Sequence, residues 1–344
     1  MHRVRPIAAV TTVLAATLIL GAAPKLEMPA PAATDSSTVA ELQREALALD
    51  SLFQASLVKR MLAATAGLPH VAPRTVYFDS TRTRYWSAAQ ASALPQQTRD
   101  SLLSRTLEEQ FYYATRYGSP LAYARPFELL ARAGLTDVAG KKIVDFGYGT
   151  VGHLRLLATL GARTLGVDVD PLLTAFYSEP GDQGAIGAGS VTLVNGRFPA
   201  EPAVNAAVGD GVDLFISKNT LKNGYIHPAE KVDPRLTVRL GVDDTTYVRT
   251  LHKILKPGGR VMIYNLCPAP APPGKQYIPW SDGRCPFSRE LWKSAGFRVI
   301  EFDRDDSPAA RKMAHALGWD QGSRPMDLEN DLFATWTLVE KPKR

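Results

Sequence analysis

The stretch that most constrains this chain runs from Val144 to Pro171. It reads Val144-Asp-Phe-Gly-Tyr-Gly-Thr-Val-Gly152 and, further on, Gly166-Val-Asp-Val-Asp-Pro171. Lys142, Ile143 and Val144 lead in as an apolar strand. Gly147 and Gly149 let the backbone turn sharply with nothing projecting above it. Leu154, Leu157 and Leu160 recur at helical spacing, and Gly161 suits that helix's end. Thr164 to Val167 reads as a second strand, and Asp168 falls at its end, where a ribose needs a carboxylate. Strand, glycine turn, helix, strand and acid together make a nucleoside-cofactor half-site of the doubly wound α/β type.

The text after Lys141 keeps alternating strand and helix, as a parallel sheet covered on both faces requires. Val191–Val194 reads as strand three and Val212–Ser217 as strand four. A helix from Asp243-Asp244 to Leu255 is stopped by Lys256-Pro-Gly-Gly259, and Arg260–Asn265 is strand five. Phe287–Ala295 is a further helix, Phe297–Phe302 strand six and Leu332–Val339 a last strand. The expected fold is therefore α/β, a doubly wound, seven-stranded, mostly parallel sheet over 141–344.

Residues 34–140 read as a helical extension. Thr38-Val-Ala-Glu41 looks like a capping box opening a helix, with Leu42, Ala46, Leu49, Phe53 and Leu57 as its apolar stripe. A second helix is expected from Gln97 to Arg116, broken by Gly118. A third runs from Leu121 to Ala133, bent by Pro126.

Residues 1–33 stand apart. Met1-His-Arg-Val-Arg-Pro6 is basic, Ile7 to Ala23 carries no charge, and Ala30-Pro-Ala32 resembles a cleavage site. This is the layout of a secretory signal peptide, with an uncleaved membrane anchor through residues 7–23 as the alternative. An exported or membrane-anchored protein follows, or a cytoplasmic one if the start is misassigned. The chain's 40 basic and 34 acidic residues give a net charge of +6, with no run of Lys/Arg among aromatics, so no nucleic-acid partner is indicated. The two cysteines, Cys267 and Cys285, form no zinc-binding pattern, and no metal is expected; whether they pair is left open by the sequence.

Taken as an ordered set, these motifs resemble the class I S-adenosylmethionine-dependent methyltransferases, a Rossmann-like family. The matching residues are Val144-Asp-Phe-Gly-Tyr-Gly149, Gly166-Val-Asp168, Leu255-Lys-Pro-Gly-Gly259 before strand five and Ala295-Gly-Phe297 before strand six. The resemblance covers about Lys141 to the C-terminus and implies S-adenosyl-L-methionine as cofactor. Carried over, Gly147, Tyr148 and Gly149 approach the methionine part, Asp168 binds the ribose hydroxyls, and Asp145 fastens the turn or reaches the cofactor's ammonium through water. Tyr117 or Arg116, ahead of the sheet, would contact the methionine end.

Two departures stand out. Val151 occupies the place of the family's third glycine, with Gly152 following, and Arg197 stands where an acid often meets adenine; Phe198 is the stacking candidate. The literal Gly147-Tyr-Gly-Thr-Val-Gly152 also fits an NAD-binding oxidoreductase. Asp145 and Lys256-Pro-Gly-Gly259 favour the first reading. A non-catalytic binding protein on the same scaffold is the third.

Chemistry is expected on the loop after strand four, Ser217-Lys-Asn-Thr-Leu-Lys-Asn-Gly-Tyr-Ile-His-Pro228. His227 is the first candidate base because it titrates in the right range, with Tyr225 second. Lys218 and Lys222 are suited to an anionic acceptor or the cofactor's carboxylate. The loop lacks the Asn/Asp-Pro-Pro-aromatic motif of enzymes methylating nucleobase amino groups, so a small-molecule acceptor is expected before a macromolecule. Trp280, Asp282, Gly283 and Arg284 are candidates for lining its pocket. Tyr112 and Tyr113 read as packing residues.

Overall fold

The computed structural model describes residues 35–114 and 118–343. Its strands are β1 (Arg74–Phe78), β2 (Tyr85–Ser87), β3 (Leu103–Leu107), β4 (Lys142–Phe146), β5 (Arg163–Asp168), β6 (Gly184–Ile186), β7 (Gly189–Asn195), β8 (Val212–Lys218), β9 (Leu255–Cys267), β10 (Arg298–Asp305) and β11 (Phe333–Glu340). The main sheet has the order β10-β11-β9-β8-β4-β5-β7-β6. Pairing is parallel from β7 through β5, β4 and β8 to β9, and antiparallel at β11 and β6.

The doubly wound α/β sheet is borne out, with eight strands where seven were expected. The extra one, β6, folds back on β7 through Gly187, whose φ is +57°. At three residues it is too short to leave a periodic signal. The order reverses at β4: the chain moves outward to β5 and β7, then returns to add β8 and β9 on the other side. The carboxyl ends of β4 and β8 thus flank the switch point where ligands of such sheets bind.

Alternation along β4 assigns its side chains to opposite faces. Val144 and Phe146 join one core, with Phe215, Tyr247 and Trp292. Ile143 joins the other, with Leu154, Leu214 and residues of the extension. Asp145 therefore projects towards the extension's side, an acid within an otherwise apolar buried strand.

The extension is less helical than its pattern. Helix Thr38–Asp50 forms, but its cap is Ser37, which accepts from Ala40 N, one residue before the expected cap. Glu109, distant in sequence, accepts from the first-turn amides of Thr38 and Val39, a placement the helix dipole favours. Phe53 lies in the short link after that helix and Leu57 in a separate helix, Ser56–Ala63, rather than in one long helix.

The helix expected over Gln97–Arg116 is replaced by a turn of helix, β3 and a short helix, Glu109–Tyr113. β3 pairs with β1, and β1 with β2, in a three-stranded antiparallel sheet. The Thr75 and Thr106 hydroxyls meet across that ladder at 3.0 Å. Pairing with a distant strand overrides the local helical preference. The helix expected from Leu121 is a 3-10 turn, Pro120–Tyr123, followed by helix Ala124–Arg132, and Pro126 falls in the first turn of the latter, where its missing N–H is not needed.

An ionic staple fastens the small sheet to the large one. Arg74 of β1 donates to both oxygens of Asp182, at 2.8 and 3.0 Å, and Tyr112 donates to the same carboxylate. Tyr112 and Tyr113 are buried, in keeping with a packing role.

Candidate active site

The glycine turn leaves β4 with Gly147 and Gly149 both left-handed, at φ +80° and +60°. Gly147 N donates to Val167 O at 2.8 Å, which locks the turn to β5. A Cβ on Gly147 would lie 2.1 Å from the Thr220 hydroxyl, so the turn and the loop after β8 are in direct contact. The Tyr148 ring turns inward instead of over the turn. It packs on Gly166, where a Cβ would come within 2.7 Å of the ring. Tyr148 thus offers a ligand its backbone.

Asp168 stands at the carboxyl end of β5, its carboxylate accepting from Gly149 N at 3.2 Å and Asp170 N at 3.0 Å. Burial pushes its pKa up, and the backbone donors oppose that shift. Asn195 at the end of β7 donates to the carbonyls of Asp168 and Asp170 and holds this strand end in place. The next residue, Val169, is 58% exposed, an apolar ledge beside the acid.

Asp145 has no exposed surface. One of its oxygens, Oδ2, accepts from the Tyr123 hydroxyl at 2.7 Å and lies 2.5 Å from His153 Nε2, while Oδ1 is buried without a partner among the described residues. The Tyr123 and His153 rings stack at 3.7 Å, nearly parallel at 2°. Burial and the Asp145 charge drive the Tyr123 hydroxyl well above its ordinary pKa, so it remains a donor. Tyr123 lies in the turn before helix Ala124–Arg132, and His153 is the second residue of helix Gly152–Thr159.

Lys218 ends β8, and its ammonium lies 5.4 Å from the centroid of the Tyr123 ring. Burial lowers its pKa to about 8, with the Asp145 charge acting in the opposite direction. The next residue, Asn219, is left-handed at φ +67°, an uncommon conformation for a residue other than glycine. It is fixed from both sides: its N–H donates to Tyr264 O and Asn265 Oδ1, and its own Oδ1 accepts from Leu266 N.

The remainder of the loop is bound to the segment after β9. Lys222 Nζ donates to Leu266 O at 2.5 Å and to Trp280 O at 3.4 Å. Asn223 donates to the Asp282 carboxylate at 2.7 Å, and Asp282 pairs with Arg284. Trp280, Asp282, Gly283 and Arg284 thus lie against the loop. Burial, helped by the like charge of Lys218, brings Lys222 to about 8, although Cys267 acts the other way.

His227 sits apart from the Asp145 cluster. Its Nε2 meets Asp244 Oδ2 at 2.9 Å, and its side chain is 45% exposed. Tyr225 is half-buried, its ring 5.4 Å from the Lys222 ammonium. Phe198, the stacking candidate, is instead fully buried against Phe215 and Tyr247, because the chain turns it into the core below the sheet. Arg197 is exposed. Tyr117 and Arg116 lie outside the described residues, as do residues 1–34 with the leader. Cys267 and Cys285 are both free and buried.

The sequence reading did not single out Tyr123 or His153. His153 follows the glycine turn closely enough to be suspected. Tyr123 reaches Asp145 only through the packing of the extension and leaves no local signal. Among the described residues, no cluster of His, Cys, Asp or Glu is arranged to hold a metal, and no helix is long and apolar enough to cross a membrane.

No family model matches the chain, and no curated protein matches it. Solved structures do. The [4+2]-cyclase SpnF is 17% identical, over 64% of this chain and 81% of its own, at a TM-score of 0.39. A putative sarcosine dimethylglycine methyltransferase from Galdieria sulphuraria is 15% identical, over 63% and 84%, at 0.39. Phospholethanolamine N-methyltransferase 2 from Haemonchus contortus, solved with phosphomonomethylethanolamine and S-adenosylhomocysteine, is 12% identical, over 84% and 75%, at 0.41. At such identities and scores, none of their chemistry transfers to this chain.

Proposed function

We propose that this chain is an S-adenosyl-L-methionine-dependent methyltransferase acting on a small-molecule acceptor. The observation that carries the reading is the Asp168 carboxylate, held at the end of β5 beside the left-handed Gly147-Tyr148-Gly149 turn by the Gly149 N–H. That arrangement suits a nucleoside, with ribose hydroxyls donating to Asp168 beside the backbone of the glycine turn. The unpartnered Asp145 Oδ1 adds an acceptor for a cationic group, and Val169 adds an apolar ledge. These residues fit the cofactor at its ribose and amino-acid ends.

The rival dinucleotide reading assigns the third glycine to close packing of helix against strand. In this chain a Cβ on Gly152 would meet the Tyr113 carbonyl at 2.4 Å and Pro120 at 2.8 Å. Gly152 makes room for the extension, so its spacing is accounted for without a second nucleotide.

When bound, S-adenosylmethionine supplies a methyl group activated on a sulfonium. The chain's own work is then to hold donor and acceptor in line, since the departing thioether needs no proton. His227, oriented by Asp244, is the proposed base for an acceptor that must lose a proton, with Tyr225 on the same loop. Lys218 serves the charged end of a ligand. The leader over residues 1–33 supports export or anchoring, which fractionation of the full chain tests.

Calorimetric titration of the full chain with S-adenosylmethionine and with NAD separates the readings. Saturable binding of the first alone is expected; binding of NAD alone would overturn the proposal.

A further inference from the structure

The three-stranded sheet stops short on one side of its central strand. β2 ends at Ser87, opposite Val76, and the chain leaves at Ala88 into helix Ala88–Ser92. Along β1 the backbone N–H and C=O groups point alternately to its two neighbours. The Asp79 N–H donates to Arg84 O at 3.2 Å, so Asp79, Tyr77 and Thr75 turn to the β2 side. Thr75 therefore presents a donor and an acceptor where β2 has already ended, and no backbone bond from the described residues reaches them there.

A cavity of about 310 Å³ lies at this place, with Thr75, Val76, Ser87, Ala88, Phe176 and Glu179 among its walls. Backbone groups left unpaired at a sheet edge are a template for a further length of extended chain. The apolar part of the wall, formed by Val76, Ala175 and Phe176, suits an aliphatic side chain.

The charge available in the cavity has one sign. Arg74 is spent, because its Nη atoms donate to Asp182 and to Phe176 O while its Nε faces Glu179 Oε2 at 3.3 Å. The Glu179 side chain is 55% exposed, and its Oε1 has no cation against it among the described residues. An anionic ligand would find no free cation among these walls, whereas an ammonium would find a carboxylate oxygen. We infer that the cavity binds the N-terminal end of an extended peptide, its first residues pairing with Thr75 as a continuation of β2 and its ammonium on Glu179. This site shares no residue with the glycine turn or Asp168, and it does not rest on the proposed function.

The test uses two probes, titrated into the full-length chain by calorimetry: L-leucyl-L-alanine amide, and the same compound acetylated on its amine. The free amine is expected to bind saturably, and the acetylated probe about threefold or more weakly, the loss of one contact to a half-exposed carboxylate. Glu179→Gln should remove that difference. Ala88→Phe, at an exposed position on the cavity wall, should abolish binding of both and leave the unfolding midpoint unchanged. Hydrogen exchange supplies the readout that filling the cavity alone would not move. With the free-amine probe bound, the Thr75 amide should exchange at least about tenfold more slowly.

No saturable binding of the free-amine probe up to about 10 mM would overturn the proposal. So would binding that leaves the Thr75 amide unprotected, or an equal affinity for n-butylamine, which has no peptide unit. Binding that survives Ala88→Phe in a protein of unchanged midpoint would place the probe elsewhere and overturn it too.

Discussion

Lys218 shows how much of this site depends on where one side chain ends. Burial brings its pKa from 10.5 to about 8, opposed by Asp145. The charges and rings facing it are Asp145, Tyr123 and, on its own loop, Lys222. A carboxylate held by the Lys218 ammonium should therefore bind well below about pH 8 and progressively less above it. Between pH 7 and 9.5 the affinity for S-adenosylhomocysteine should fall by roughly tenfold, the loss of one charge-assisted contact. Lys218→Met should flatten that part of the profile.

The sign for stability is the opposite. Between about 8 and 10.5 the unfolded chain holds a proton on this lysine that the folded chain has released, so its burial penalty eases as pH rises. His227 offers a separate check. His227→Ala should keep cofactor affinity unchanged, because the imidazole rests on Asp244 away from the glycine turn. Its turnover should fall by about 10²-fold or more with an acceptor that must lose a proton. Full turnover would remove it as the base.

The residues proposed to hold a nucleoside were legible because their spacing is local: Gly147, Gly149 and Asp168 sit on consecutive elements. The partners of Asp145 were not. Tyr123 and His153 converge on it from two helices, and only the packing of the extension brings Tyr123 there.

At the scale of elements, the main sheet could be read because its buried strands are apolar and several of its helices are capped, as at Asp243, whose side chain accepts from Thr246 N. The extension could not, because β3 owes its conformation to β1 rather than to its own residues. Gly152 marks the seam between the two. A Cβ there would press on the Tyr113 carbonyl and on Pro120, neither of which can yield easily. Gly152→Ala should cost roughly 1–3 kcal/mol in denaturant unfolding, as overpacking does. Gly67 is the matched control, since a Cβ there meets nothing within 4 Å. Gly67→Ala should be neutral or stabilise by about 0.4–1 kcal/mol. Equal effects at the two positions would remove Gly152 from the seam.

Across the whole molecule, the extension and the sheet share one hydrophobic core, and the Arg74–Asp182 pair fastens them at its edge. Asp182 also accepts from Tyr112, whose hydroxyl takes a bond from Arg155. Arg74→Met would leave that buried carboxylate short of its cation and should cost roughly 3–5 kcal/mol. Because the small sheet packs beside the helix that follows Asp168, protease cleavage in residues 74–107 should also become faster in this variant. An unchanged unfolding midpoint would show that the staple contributes nothing.

The extension thus supplies Tyr123 to the candidate site and support to the strand end that carries Asp168. The claim on which all this rests is that Asp168 and the glycine turn hold a sulfonium nucleoside. Its most direct test is the dissociation constant of S-adenosylhomocysteine, measured by calorimetry on the full chain and on Asp168→Ala. Affinity at least about tenfold weaker in the variant is expected, since a charge-assisted hydrogen bond contributes roughly 1.5–3 kcal/mol. An identical constant in the two proteins would contradict the assignment.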